Sequence, residues 1–353
     1  MKSKIVFVGL ISLMGLGLWV QGNPQKSEAP FPDLKGPYLG HTPPGSKAEL
    51  FAPGVVSTGM TERDIAIARD GREIYFELAF GPIATIMVTK MEGDRWTEPV
   101  VAPFASDLKY FHFEPALSAD GRRILFLSNR PRAGEKPKPN WAYQHIWAAE
   151  RKADATWSEP YDLGDPINSD GNEFFPSLTD GGTLYFTRST KAAPRKPAIW
   201  RSRWADGKFQ TPEALSAAVN GKGVPYNAFI APDESYLIAC VQGREDSLTP
   251  GASDYFIFFR GPDDRWSEGV NLGAGVNFPG AEANAPYVTR DGKYFFFGST
   301  KAKPFDSFAR PVTSRMLLNM FNGPQNGDSD IYWMDASFLK ALRPAAIASP
   351  PRR

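Results

Sequence analysis

One hairpin, written five times with variations, fills most of this chain. The copies read DIAIARDGREIYFEL from Asp64, EPALSADGRRILFLS from Glu114, FFPSLTDGGTLYFTR from Phe174, NAFIAPDESYLIACV from Asn227 and ANAPYVTRDGKYFFFGS from Ala283. Each has a polar lead-in, an alternating or apolar strand, a tight turn and an aromatic strand, with no helical period. The turns carry Asp70, Asp120, Asp180, Asp233 and Asp291, which lie 50, 60, 53 and 58 residues apart, the period of a propeller blade. Asp-Gly favours a hairpin because both central residues can take positive φ. The fourth copy has Asp-Glu, so a different turn is expected there.

A third strand follows in every copy: Ala84–Lys90, His145–Glu150, Ala198–Trp204, Tyr255–Arg260 and Asp330–Met334. An aromatic then stands at the next turn in four copies, Trp96, Trp157, Phe209 and Trp266, and its regular place predicts a wedge between blades rather than a platform for sugars. A short fourth strand leads to the next copy. The fifth copy lacks one, because Asp335 to Leu342 reads as a short helix; Ala48 to Thr58, AELFAPGVVST, supplies it. Sharing one blade between both ends closes the ring and removes the exposed sheet edges. The expectation is an all-β, five-bladed propeller, with blades at about 61–106, 107–169, 170–222, 223–280, and 281–335 plus 48–58. A sixth blade hidden in the Pro-rich strap and the 301–329 insert is the alternative.

The ends read differently. Lys2 and Lys4 precede the apolar run Ile5 to Val20, and small residues close residues 1–22, the pattern of a secretory signal peptide; an uncleaved anchor is the alternative. Residues 23–47 carry six prolines and read as a linker or strap, and 344–353 as a disordered tail, leaving 48–343 for the propeller. The expected location is periplasmic or secreted. The single cysteine, Cys240, sits in an apolar run and is expected to be buried and inert, so packing must supply the stability. A formal net charge of +1 offers no overall field for nucleic acid or an anionic membrane.

The runs EPALSADGRRILFLSNR with HIWAAER, and FFPSLTDGGTLYFTR with IWRSR, resemble the WD40-like (PD40) repeats of TolB-type β-propellers of bacteria, over roughly Asp64 to Asp335. That resemblance implies a periplasmic scaffold, sensor or binding module, and in some members part of an enzyme. The α/β domain that precedes the propeller in TolB has no counterpart in the sequence.

First strands of a propeller line its axis, so the residues leading into them gather at one mouth of the channel. These are Glu62 and Asp64, His112 and Glu114, Asn172 and Glu173, Tyr226 and Asn227, and Glu282 and Asn284. Gathered carboxylates repel unless a cation, an amine, a sugar or a set of hydrogen-bond donors sits among them. Two readings stay open: a ligand site, or groups that pin neighbouring blades together. His112 and Glu114, two apart, are expected on one strand face, and with Glu173 they form a mixed N/O candidate for a metal. His145 and His41 read as packed or exposed. No cofactor is expected, apart from a structural or ligand-bridging divalent cation. Trp141 and Tyr143, in the loop from Pro131 to Gln144 outside the repeat, are candidate partner contacts.

There is no Gly-x-Ser-x-Gly elbow, Cys-His pair or phosphate-cradling glycine loop. The sequence therefore points to a monomeric binding or scaffolding module for an envelope protein or saccharide, without nucleic-acid binding or stable membrane insertion after signal cleavage. The alternative is a carbohydrate-active hydrolase or lyase using Glu114, Glu173 and Glu282 with His112.

Overall fold

The computed structural model describes residues 30–137 and 144–345. The expected signal peptide, the loop aromatics Trp141 and Tyr143, and residues 346–353 lie outside the described residues. The chain divides at Pro32, and Asp33–Arg353 holds the propeller.

Five antiparallel sheets follow one another. Their inner strands are Thr61–Ile67, His112–Leu117, Asn172–Leu178, Val224–Ile230 and Ala283–Val288. In the first four sheets the strands follow in sequence order from the axis outward. The fifth is completed by Glu49–Leu50, which pairs with Asp330–Asp335 in the register Glu49↔Trp333 and Leu50↔Tyr332. The Phe51 amide extends the seam by donating to Ile331 O at 2.8 Å. The protein is an all-β, five-bladed propeller closed by an N-terminal strand in its last blade. The 301–329 insert forms a 3-10 turn, Phe305–Ser307, and a helix, Ser314–Phe321, in place of a sixth blade.

The core is divided among the seams. One apolar cluster packs Tyr75 and Ile86 of blade 1 against Ile124 and Phe126 of blade 2, and another joins Phe256 and Phe258 of blade 4 to Tyr185 and Ile199 of blade 3. The closing cluster sets Phe76 and Trp96 of blade 1 against Phe296 and Trp333 of blade 5, with Leu39 and Phe51 between them. A single blade cannot bury both faces, so each depends on its neighbours. Trp157 is a wedge of the expected kind: its indole N–H donates to Tyr75 OH of blade 1 at 3.2 Å, and the Arg151 guanidinium lies 4.4 Å from its ring centre. Trp96 and Trp266 are likewise buried. Phe209 differs, lying half-buried in a small ribbon where it meets Trp204 edge-on at 4.8 Å.

The hairpin turns correct one expectation. In four of the five turns the residue after the Asp is left-handed, with Gly71 at φ +70, Gly121 at φ +67 and Gly292 at φ +71, and Glu234 takes the same place in blade 4 at φ 60; in blade 3 the left-handed residue is Gly182, at φ +83. The Asp contributes its side chain: Asp70, Asp120 and Asp233 each accept from the amide two residues on, at 3.0 Å. The fourth turn is therefore the same turn. Its strained Glu234 is held by the Arg260 guanidinium and accepts from Tyr185 OH at 3.2 Å.

Candidate functional site

Every inner strand breaks its register at one level. The shifts fall at Arg63/Ile65, Phe113/Ala116, Phe174/Ser177, Tyr226/Phe229 and Ala283/Pro286. In four blades the bulge holds a non-glycine residue in the left-handed region: Asp64 (φ 49), Glu114 (φ 58), Phe175 (φ 51) and Asn227 (φ 48). Such a conformation costs about 1 kcal/mol or more, so it persists only where the surroundings impose it. The bulges turn Asp64 and Glu114 towards the axis.

There a cavity runs among inner-strand residues of all five blades, with about 610 Å³ of empty space counting open solvent; the centre of a water molecule can occupy about 50 Å³ of it. That is room for a few waters or a narrow group, and too little for a sugar ring. Arg290 of blade 5 crosses the turn-side end, donating to Leu117 O of blade 2 at 2.9 Å and pairing with Asp180 of blade 3.

The polar layer is organised by Arg63. Its Nε lies 2.9 Å from both Asp64 Oδ2 and Glu77 Oε2 and donates to Glu77, while its terminal nitrogen is 3.6 Å from Glu114 Oε1. Glu114 also accepts from the Phe175 amide at 2.6 Å. Burial pushes the Glu77 carboxyl well above the usual range, against the pull of Arg63. Burial and the Asp64 charge raise Glu114 to about 8. One guanidinium thus sits among three acids, of which Glu114 holds its proton at neutral pH. Neither Asp64 oxygen accepts a hydrogen bond, although Oδ2 lies against Arg63 Nε. Asn227 Oδ1 and Asn284 Oδ1 are also buried without a partner. Asn227 Nδ2 donates to Asn284 O, and Asn284 Nδ2 to Ser329 Oγ at 2.9 Å. Asn284 fits over Gly298 because a Cβ there would meet its Oδ1 at 1.9 Å.

Other lead-in residues go elsewhere. Glu62 is a seam pin: it accepts from the Thr58 amide at 3.1 Å and from the Thr58 hydroxyl, and burial raises its carboxyl to about 8. Glu173 meets Arg188 Nε at 2.9 Å, Ser169 Oγ at 2.5 Å and His145 Nδ1 at 3.3 Å, between blades 2 and 3. His112 and Glu114 do not share a face, because the bulge breaks the alternation between them. His112 turns inward with Nε2 3.2 Å from Asp107 O, and burial lowers its pKa to about 4, leaving it neutral. Asn172 is half-exposed; Glu282 is exposed at the mouth, 3.5 Å from Tyr226 OH. Among the described residues no group of three or more His, Cys, Asp or Glu is arranged to hold a metal. The four residues of the hydrolase alternative are therefore not gathered, and the residues missed by the sequence reading are Arg63, Glu77 and Arg290.

The raised Glu114 predicts a pH dependence. The folded state keeps a proton that the unfolded chain, with a carboxyl near 4.5, has released, so this contribution is full below about pH 4.5 and lost as pH rises through about 8. Glu114→Gln keeps the bond from Phe175 and removes the titration. It is expected to melt above the parent at pH 8.5 by a margin worth about 2 kcal/mol and to lose that margin by pH 5. Melting curves across this range check it; parallel curves would remove the assignment.

No model of a protein family matches the chain, and no curated protein matches it. Among solved structures it is similar to TolB from Acinetobacter baumannii, at 13% identity over 78% of this chain and 57% of that one, with a TM-score of 0.42. It is also similar to a chain of a nidogen/laminin complex, at 15% identity over 78% and 84% with a TM-score of 0.42. A third is the GH43 BlXynB protein from Bacillus licheniformis, at 11% identity over 80% and 54% with a TM-score of 0.42. This chain thus spans less than two thirds of the length of the TolB and GH43 chains. The likeness concerns the fold, a ring of β-sheet blades that the chain's own strand pairings define.

Proposed function

We propose that the protein is an exported propeller of the WD40-like (PD40) type that works as a binding or scaffolding module, holding an envelope protein or a saccharide at the channel mouth. The observation that carries this reading is the set of buried acceptor oxygens that receive no hydrogen bond, on Asp64 (whose Oδ2 faces Arg63), Asn227 and Asn284. An unpaired buried acceptor costs about 1–3 kcal/mol, and a donor from a ligand recovers it. Because the axis is narrow, the group received there is the tip of a side chain or a single hydroxyl or amine, with the rest of the ligand spread over the mouth near Glu282. A whole sugar unit held inside the channel for hydrolysis fits these dimensions poorly.

The test is retention of envelope proteins and of an arrayed set of bacterial saccharides by the parent chain and by Asp64→Asn. The expected outcome is a retained ligand whose affinity falls about tenfold or more in the variant, the loss of one charge-assisted hydrogen bond, at nearly unchanged melting temperature. Equal retention by both proteins, or a large fall in stability, would mean that the layer only pins the blades. Turnover of a polysaccharide would restore the enzymatic alternative.

A further inference from the structure

The blade 5 insert carries a surface that the axial site does not explain. In each blade the first strand runs from lead-in to turn, so the loops joining second to third strands, and those joining blade to blade, emerge together on the lead-in side. Nine large apolar side chains are exposed among the described residues, and seven emerge on that side. Phe80 comes from blade 1, Leu108 from the link into blade 2, Leu248 from blade 4, and the other four from the insert.

Within the insert, Ser314–Phe321 is a fixed helix rather than a loose loop. Thr313 caps it, accepting from the Met316 amide at 3.3 Å. Its far end rests on the closing segment: a Cβ on Gly59 would come within 2.5 Å of the Asn322 carbonyl carbon, and Asn326 Nδ2 donates to both Gly59 O and Phe321 O, at 3.0 and 3.1 Å. Yet none of its eight residues is buried. Ser314, Leu317, Leu318 and Phe321 follow the spacing i, i+3, i+4, i+7 and form one stripe, with the last three 54%, 58% and 66% exposed. A helix pinned to the ring that points two leucines and a phenylalanine outward marks a contact surface.

Charge decides what kind. Residues 301–321 hold Lys301, Lys303, Arg310 and Arg315 against the single acid Asp306. None of these cations lies within 4.0 Å of a carboxylate among the described residues. The overall charge of +1 therefore conceals a local excess of three positive charges, and the sequence expectation of no field for an anionic membrane holds only for the chain as a whole. An exposed apolar stripe in a segment whose cations form no close ion pair among the described residues, Lys301 lying over the Phe278 ring at 4.1 Å, matches the boundary between acyl chains and anionic headgroups. The remaining exposed apolar side chains come from separate blades around the ring, which suits an extended surface better than a compact partner. We propose that the lead-in face docks on an anionic lipid surface, with the Ser314–Phe321 helix seated at headgroup level.

The full chain tests this directly. Cys240 is buried, so Ser314→Cys provides a specific site for a polarity-sensitive dye on the stripe. The expected result is a blue shift with phosphatidylcholine vesicles containing phosphatidylglycerol and little with phosphatidylcholine alone. Combining Arg310→Gln with Arg315→Gln should weaken the apparent affinity about tenfold or more, and Leu317→Glu with Phe321→Glu should abolish the shift. These side chains are exposed, so unchanged melting confirms that the variants fold. The apolar run Ile5–Val20 is the same in every variant, so differences between them report on the helix. No shift with the anionic vesicles, an equal shift on both lipids, or indifference to the arginine substitutions would overturn the proposal. So would a shift produced by envelope proteins without lipid. Asp64→Asn should leave the lipid response unchanged, which separates failure of this proposal from failure of the axial one.

Discussion

Replacing Arg63 with methionine is expected to lower stability by about 3–5 kcal/mol, the usual cost of removing one partner from a buried charged group. A chain of this size then melts roughly 5–15 °C lower. The guanidinium keeps only 23% of its side chain exposed and faces Asp64, Glu77 and Glu114 together. Methionine fills much of the volume, so lost packing contributes little; what remains is an acidic layer without its cation. The charge origin has its own signature. Without Arg63 the Glu77 and Glu114 carboxyls hold their protons more strongly, and the unfolded chain still releases its protons near the ordinary carboxylate value. The deficit should therefore widen as pH rises from 5 to 8.5 and shrink on the acid side. Melting of both proteins across that range checks it, and a deficit independent of pH would assign the loss to packing instead.

The same residues show why the ring was legible in the sequence and the axial layer was not. Asp at the hairpin turn and glycine after it are dictated by local chemistry, a side-chain cap and a left-handed backbone, so four copies of that pair, with Asp-Glu in the remaining turn, expose the period. The missing strand of blade 5 and the displaced segment at Ala48 are likewise visible as a deficit and a surplus. The bulges have no such repeated marker: Asp64 and Asn227 are of types that tolerate a left-handed backbone, but Glu114 and Phe175 at the same level are not. Counting back from the first turn with Ile65 opposite Phe76 and no bulge would set Asp64 against Glu77 and Arg63 against Leu78. The actual register sets Arg63 against Glu77. One inserted residue converts two facing acids into an ion pair, and the same kind of slip parts His112 from Glu114. A lone Arg in TERDIAI and a Glu in the middle of EIYFELAF were the available signal, but only the register joins Arg63 to Glu77.

Closure of the ring is where a single apolar truncation should cost most. Trp333 is almost fully buried at the point where the strap, the N-terminal strand and blade 5 meet: its ring centre lies 5.2 Å from Phe51, 5.4 Å from Phe296 and Tyr38, and 5.6 Å from Tyr294. Trp333→Ala is expected to destabilise the protein by about 3–5 kcal/mol, the range for removing a large aromatic from a packed interior. Every other seam is crossed by continuous chain, whereas this one joins the two ends through the two-residue pairing of Glu49–Leu50. The loss should therefore concentrate there. Amide exchange of Phe51, which donates to Ile331 O, and of Glu62, which donates to Ser329 O, should accelerate more than that of the Ile124–Phe126 strand between blades 1 and 2. Uniform acceleration would mean that the ring opens as one unit and that the joined ends are no weaker than the rest. Selective opening would make the shared blade the first element to yield, and would carry Gly59, against which the Ser314–Phe321 helix is seated, along with it.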